Sequence, residues 1–113
     1  MRVPISQEEL GRHLEEIEKL GLKRGFDLSP VHIIITDDNA NILYANKAVE
    51  SHTGFAPEEC IGKNPADLWG GGMSRKFYED MWYTIKIEKK PFVDEVLNTK
   101  KDGTTYWQEL LIT

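Results

Sequence analysis

The sequence has only one cysteine in 113 residues, so no disulfide can form within the chain, and a reducing compartment is compatible with it. It has no apolar run near the roughly 20 residues that a membrane-spanning helix needs. Its opening, MRVPISQEEL, lacks the apolar core of a secretory signal. It has no basic patch: 14 Lys and Arg are interspersed with 19 Asp and Glu, for a net charge of −5. Nucleic acid is therefore not an expected partner. His13, His32 and His52 are scattered, and no His, Cys, Asp or Glu set has metal-ligand spacing, so no metal site is expected. No nucleophile–base pair or working pair of carboxylates can be placed either. Asp37-Asp38 read as turn residues and Glu58-Glu59 as helix-start residues, so no catalytic residue is assigned and the chain is not expected to be an enzyme. Repeats and low-complexity segments are also missing. These exclusions leave one cytoplasmic domain of ordinary globular balance, 40% hydrophobic and 29% charged, long enough for one modest core.

What is present is an unusual density of chain reversals over residues 41–65, NILYANKAVESHTGFAPEECIGKNP. A short apolar run, Ile42 to Ala45, meets Asn46, a good N-cap for the helix that follows, and Gly54 is a good stop. Ala56-Pro57-Glu58-Glu59 starts a second short helix and Asn64-Pro65 a third. Upstream, Ser6 with Glu9 fits a capping box. Leu10, Leu14 and Ile17 then recur at helical spacing on a polar helix. That stripe suits packing on its own domain and, at 3–4 spacing, pairing with a second copy; both can hold together. Lys23 to Pro30 reads as a connector. Val31 to Thr36 is β-branched and reads as a strand, and Asp37 to Asn41 is turn chemistry, so Ile42 to Ala45 returns as its antiparallel partner.

Downstream, Gly70-Gly71-Gly72 has neither a Walker ending nor dinucleotide spacing, and reads as a flexible entry to a helix capped by Ser74. Phe77, Met81 and Ile85 share one face of that helix, and Tyr78 and Trp82 an adjoining face. This wide apolar arc suits core packing or the wall of a cavity. Phe92 to Thr99 and Thr104 to Thr113 read as a second hairpin around Lys101-Asp102-Gly103. The order is helix, hairpin, several short helices, one longer helix, hairpin. That is an α+β arrangement with helices over one face of an antiparallel sheet.

The pieces Ile33-Ile34-Ile35-Thr36-Asp37, Ile42-Leu43-Tyr44-Ala45-Asn46, Thr53-Gly54-Phe55, Glu58-Glu59, Ile61-Gly62-Lys63-Asn64-Pro65, Asn98 and Lys101-Asp102-Gly103, in this order, resemble the PAS sensory-domain family. The resemblance covers residues 28–113 and leaves 1–27 as an N-terminal amphipathic helix and connector. It implies a sheet and helical face enclosing a small-molecule pocket, in a sensor or interaction domain of a larger regulatory protein. Two-component and cyclic-dinucleotide signalling of bacterial type are its usual settings. Its usual contexts imply a C-terminal output domain, and the stripe of Leu10, Leu14 and Ile17 makes a homodimer an expectation. No membrane contact is expected of the domain itself. In the family a fifth strand lies between the first and fourth, whereas here the chain stops at Thr113, where the fourth ends. Either the fifth strand follows beyond Thr113, or the two hairpins pair directly, or a segment of another copy fills the gap.

The resemblance also narrows the ligand. The photoreactive branch needs a cysteine after Gly-x-Asn, but Gly62-Lys63-Asn64 is followed by Pro65, so a covalent flavin adduct is not expected. Cys60 reads instead as a small buried apolar residue. Residues 74–88 contain no histidine to serve as an axial haem ligand. The stretch Phe77 to Ile85, with Lys90-Pro91-Phe92 and Asn98, is similar to FAD-binding PAS domains of aerotaxis receptors and nitrogen-fixation redox regulators. This implies Trp82 and Asn98 as ligand residues, with Tyr78, Met81, Phe77 and Ile35 around them. An indole packs on a flat ring, and an amide supplies both donor and acceptor. FAD, another small molecule, and a ligand-free dimerisation module all stay open at this point.

Overall fold

The described residues form two hairpins, five α-helices and a 3-10 turn. The computed structural model describes residues 3–19 and 21–113; residues 1, 2 and 20, in the segment expected over 1–27, lie outside the described residues. Helix α1 is Gln7–Lys19. Ser6 Oγ accepts from the Glu9 amide at 3.1 Å, as the capping signal predicts. The connector expected after it is largely a second helix, α2, Leu22–Leu28. Its local propensity is poor, with Gly25 inside it, and tertiary contacts decide the outcome. The Phe26 ring lies 6.0 Å from Tyr44, and Tyr44 donates to Asp27 Oδ1 at 2.5 Å.

Strands β1, Ile34–Thr36, and β2, Ile42–Ala45, form the first hairpin. Ile34 pairs with Ala45, Ile35 with Tyr44 and Thr36 with Ile42, so Leu43 is the extra residue of a bulge. The bulge turns two consecutive side chains the same way. Leu43 and Tyr44 pack with Ile35 under Leu10 and Ile17 of α1. Ile42 and Ala45 pack on the other side with Ile34, Val49, Cys60 and Trp69. All four residues of β2 are therefore buried. The stripe on α1 packs on its own domain, with Leu10 and Ile17 buried and Leu14 beside them.

The first strand starts at Ile34 rather than at Val31 because Asn46 takes the preceding backbone. Asn46 Nδ2 donates to the carbonyls of Phe26 at 2.8 Å and Val31 at 2.7 Å, and Oδ1 accepts from the Ile33 amide at 3.0 Å. The expectation that Asn46 caps the next helix by its side chain is corrected accordingly. Helix α3, Ala48–Thr53, has no side-chain cap, and the Asn46 carbonyl accepts from Val49 instead. Gly54, at φ +82°, ends α3 in the left-handed region. Helix α4, Pro57–Cys60, and the 3-10 turn Pro65–Asp67 follow as punctuated. Helix α5, Arg75–Lys86, is capped by Ser74 Oγ, which accepts from Phe77 at 3.2 Å.

Strands β3, Phe92–Thr99, and β4, Thr105–Ile112, pair from Phe92–Ile112 to Thr99–Thr105 around loop 101–103. β1 pairs only with β2 and β3 only with β4, so the sheet is in two pieces. The direct pairing expected as one closure of the gap is not made, and no strand among the described residues bridges it. The second hairpin is attached along the outer edge of β3. The Thr99 amide donates to the Trp69 carbonyl at 2.9 Å, the Lys101 amide to Thr53 at 2.8 Å, and the Leu97 amide to Met73 Sδ at 3.3 Å. A Cβ on Gly72 would stand 2.3 Å from the Leu97 carbonyl oxygen, so only glycine permits this approach.

His32 seals the end of the first core, edge-on to Trp69 with centroids 4.9 Å apart and 6.2 Å from the His52 ring. Its Nδ1 is buried without a partner. Burial, and then the charge of His52, pull its pKa down from 6.5 to about 4. Protonation thus favours the unfolded chain, and the associated stability is fully present above pH 6.5 and lost as pH falls toward 4. His32→Phe should remove this dependence. Between pH 7 and 4.5 the wild type should lose about 2.5 kcal/mol more than the variant in urea melts, on roughly 1.36 kcal/mol per pH unit; parallel losses would refute it. Asn46→Ala removes three part-buried hydrogen bonds, to two carbonyls and an amide, and should cost about 1–3 kcal/mol by the same measurement, whereas exposed Lys47→Ala should cost about 0.5 kcal/mol or less.

Candidate ligand-binding site

The second hairpin alternates strictly along β4, and its loop fixes the phase. Tyr106, Gln108, Leu110 and Ile112 are half-buried, while Thr105, Trp107, Glu109 and Leu111 are exposed. Opposite Gln108 and Tyr106 on β3 lie Val96 and Asn98, both buried. Period-two geometry puts these four residues on the inner side of the hairpin. Helix α5 follows the glycine loop and supplies the neighbouring wall. Met81 is buried, and Phe77, Tyr78, Trp82 and Ile85 are half-buried.

Several of these side chains already have partners. Phe77 stands edge-on to Tyr78 at 5.4 Å and to Phe92 at 5.6 Å between centroids. The Tyr78 hydroxyl accepts from the Met73 amide at 3.1 Å, which ties α5 to the loop below β3. Lys86 Nζ stands 4.9 Å from the centroid of the Trp82 ring, a cation–π distance. Phe77 and Tyr78 are thus partly structural, and Trp82 offers a ring with one cationic neighbour.

Asn98, Gln108 and Tyr106 form a polar group next to Val96, with exposed Asp94 further along the same side opposite Leu110. Asn98 Nδ2 donates to Gln108 Oε1 at 2.8 Å. The Tyr106 hydroxyl is buried and makes no hydrogen bond of good geometry, although the Asn98 side chain is close enough to act on it. Burial raises its pKa above the ordinary tyrosine value, with the Asn98 side chain pulling the other way. A buried hydroxyl without a partner costs about 1–3 kcal/mol, which an acceptor brought by a ligand would recover. The group can present amide hydrogen-bonding and a phenolic donor to the edge of a flat polar molecule, beside the aromatic wall of α5.

Sequence reasoning selected Asn98 but missed Gln108 and Tyr106 as a polar set. The signal was available: counting back from the Lys101-Asp102-Gly103 loop puts both residues on the same side as Asn98. Ile35 is corrected. The bulge at Leu43 keeps Ile35 with Tyr44 on the α1 side, and Ile34 is the β1 residue that packs toward the helices. Cys60 is fully buried, its Sγ donates to the Ala56 carbonyl at 3.3 Å, and burial and Glu59 push its pKa up to about 11. It is a packing residue, with no tendency to form a thiolate. An open cleft of about 380 Å³ lies elsewhere, where Thr53 and Gly54 meet Lys100 and Lys101, and it includes none of the ligand residues expected from sequence.

Among the described residues no cluster of His, Cys, Asp and Glu could hold a metal, and no helix is long and apolar enough to cross a membrane. The family model for the PAS fold matches residues 22–113. A nitrogen fixation regulatory protein from Klebsiella oxytoca is 34% identical over 83 residues, covering 74% of this chain and 17% of that protein. A blue-light-activated histidine kinase from Brucella anthropi is 35% identical over 91 residues, covering 77% of this chain and 18% of that protein. The chain thus spans under a fifth of the length of either regulator. Among solved structures, the PAS domain of a protein from Colwellia psychrerythraea superposes with a TM-score of 0.69 at 25% identity, over 82% of this chain and 77% of that one. The motif order, the two hairpins with their helical insert and these matches agree, and the chain belongs to the PAS family of sensory domains.

Proposed function

We propose that the chain is the sensor of a larger regulatory protein and that its signal is the occupancy of the inner side of β3–β4 by a flat heteroaromatic ligand of the flavin class. The observation that carries this reading is the buried, unpartnered Tyr106 hydroxyl beside the Asn98–Gln108 amide pair. A core with no ligand to receive would gain stability from phenylalanine at that position, since burying an unpaired hydroxyl is unfavourable. The likeness of Phe77 to Ile85 and Asn98 to FAD-binding PAS domains points to the same chemistry.

The residues fit such a group. Trp82 would lie against the ring system, and Asn98, Gln108 and Tyr106 would hydrogen-bond its polar edge. FAD would supply redox chemistry, and the protein groups would orient the ring and exclude water from it. No group in the site is placed to act as a nucleophile, so binding and release, rather than turnover, form the output. A homodimer and an output domain beyond the sensor complete the proposal. The dimer would use surfaces other than Leu10 and Ile17, which are buried in the domain's own fold.

Purified protein titrated with FAD should show flavin absorption that survives gel filtration and a raised Tm. Trp82→Ala should weaken binding by about tenfold or more, the loss of one well-packed aromatic contact. Tyr106→Phe is the sharper test. It should leave the ligand-free protein as stable or more stable while weakening FAD binding by roughly 3–10-fold, one hydrogen bond. A protein whose Tm ignores FAD, free flavins and flavin-like heterocycles alike would overturn the reading and leave a domain that signals through packing alone.

A further inference from the structure

One tie of the second hairpin to the rest of the domain uses sulfur where its neighbours use oxygen. The Lys100 amide donates to the Thr104 carbonyl, which sets the alternation of the hairpin. The amides of Leu97 and Thr99 therefore point away from β4. The Thr99 amide donates to the Trp69 carbonyl at 2.9 Å, and the Lys101 amide to the Thr53 carbonyl at 2.8 Å. The Leu97 amide donates instead to Met73 Sδ at 3.3 Å. A thioether is a weak acceptor for a backbone donor.

The loop that carries this sulfur is fixed on both sides. The Met73 amide donates to the Tyr78 hydroxyl of α5 at 3.1 Å. Beside it, a Cβ on Gly72 would stand 2.3 Å from the Leu97 carbonyl oxygen, so the loop has no room to move toward β3. Met73 is nevertheless within reach of solvent. It is half-buried, between exposed Gly72 and exposed Ser74. The other described methionine, Met81, is only 8% exposed. A thioether sulfur has two lone pairs. The Leu97 N–H occupies one of them, and the other is left for an electrophile.

We propose that Met73 is an oxidation site, and that a peroxide loosens the second hairpin through it. The free lone pair of Sδ attacks one oxygen of hydrogen peroxide. An S–O bond forms and the O–O bond breaks. The departing hydroxide takes the proton of the transferred oxygen and leaves as water. The sulfur gives up two electrons and becomes a sulfoxide, and the peroxide is reduced by them. The new oxygen points away from Leu97, because the N–H already occupies the other side. A sulfoxide sulfur carries partial positive charge and does not accept from an N–H. The fixed loop keeps the new oxygen from swinging round to replace it, so the Leu97 amide loses its acceptor and β3 loses one tie. Leu97 lies between Val96 and Asn98, so the loosened backbone is that of the candidate ligand site. Sulfoxide reductases return the sulfur to a thioether, which makes the change reversible. The inference stands whether or not the inner side binds a flavin.

The test treats the whole chain, with no flavin added, with hydrogen peroxide. Peptide mapping by mass spectrometry should show oxygen added at Met73 about tenfold or more faster than at Met81. Amide hydrogen exchange, followed by NMR, should then be about tenfold or more faster at Leu97, with a smaller change at Thr99. The Tm should fall by about 5 °C. Sulfoxide reductases supplied with dithiothreitol should restore both. Met73→Leu keeps the volume and removes the acceptor. It should exchange quickly at Leu97 without peroxide and lose no further Tm with it. Met81→Leu should keep the wild-type response. Equal oxidation of the two methionines, or a Leu97 exchange rate unchanged by oxidation at Met73, would overturn the proposal. So would a Tm loss that the reductases do not reverse, or a peroxide response that survives in Met73→Leu. Titration with FAD reads the inner side independently, so either reading can fail without the other.

Discussion

The outer edge of β3 holds this domain together. The two hairpins share no backbone ladder, so the second is attached to the first half of the molecule through amide donors of β3 and its loop. Leu97, Thr99 and Lys101 reach to Met73, to Trp69 and to Thr53 at the end of α3. The Glu59–Lys101 ion pair, 2.6 Å long, lies over this seam but is partly exposed and adds little next to the backbone bonds. Trp69 does the joining. Its ring belongs to the first core with Ile42 and Val49, and its carbonyl takes an amide of β3. Gly72 is required because the loop passes too close to Leu97 for any side chain.

The first hairpin solves a different problem. It is short, and a two-stranded ribbon of that length has little stability of its own. The bulge at Leu43 compensates by burying every residue of β2, two under α1 and two under the helical insert. Asn46 then secures the chain that enters β1. One amide side chain satisfies two carbonyls and one amide from a segment with no ladder to join. Buried backbone without such partners would be costly, which explains an asparagine with no solvent exposure.

Much of this was legible in the chain. The caps at Ser6 and Ser74, the stop at Gly54 and the two hairpins follow from local chemistry, because each depends on residues within a few positions of one another. What was not legible depends on partners distant in sequence. Helix α2 has weak propensity and forms against Tyr44, more than a dozen residues away. Asn46 looks like an N-cap because nothing local reveals the three backbone groups that claim its side chain. Ile35 was assigned to the ligand side because a bulge, which shifts the phase of alternation by one, leaves no local mark in ILYA. In the candidate site, Asn98 and the α5 aromatics were readable by likeness. Gln108 and Tyr106 required the register of β4, which a count from the Asp102-Gly103 loop provides only once the loop length is known.

That register also bears on how a sensor built this way could communicate. On β4 the residues of the proposed ligand site alternate with exposed ones: Tyr106, Trp107, Gln108, Glu109. Neighbours on a strand share a peptide plane and project to opposite sides, so a rotation of the strand that moves Gln108 inward moves Trp107 and Glu109 with it. A hairpin embedded in a continuous sheet would resist such a rotation through ladder bonds on both edges. Here β4 is bonded on one edge only, and the hairpin is fixed to the domain through β3. The seam to the rest of the domain thus runs along β3, and β4 pairs with β3 alone among the described residues. A ligand on the inner face would then act on backbone units whose other side is exposed at Trp107 and Glu109, with no long path of coupling between the two sides.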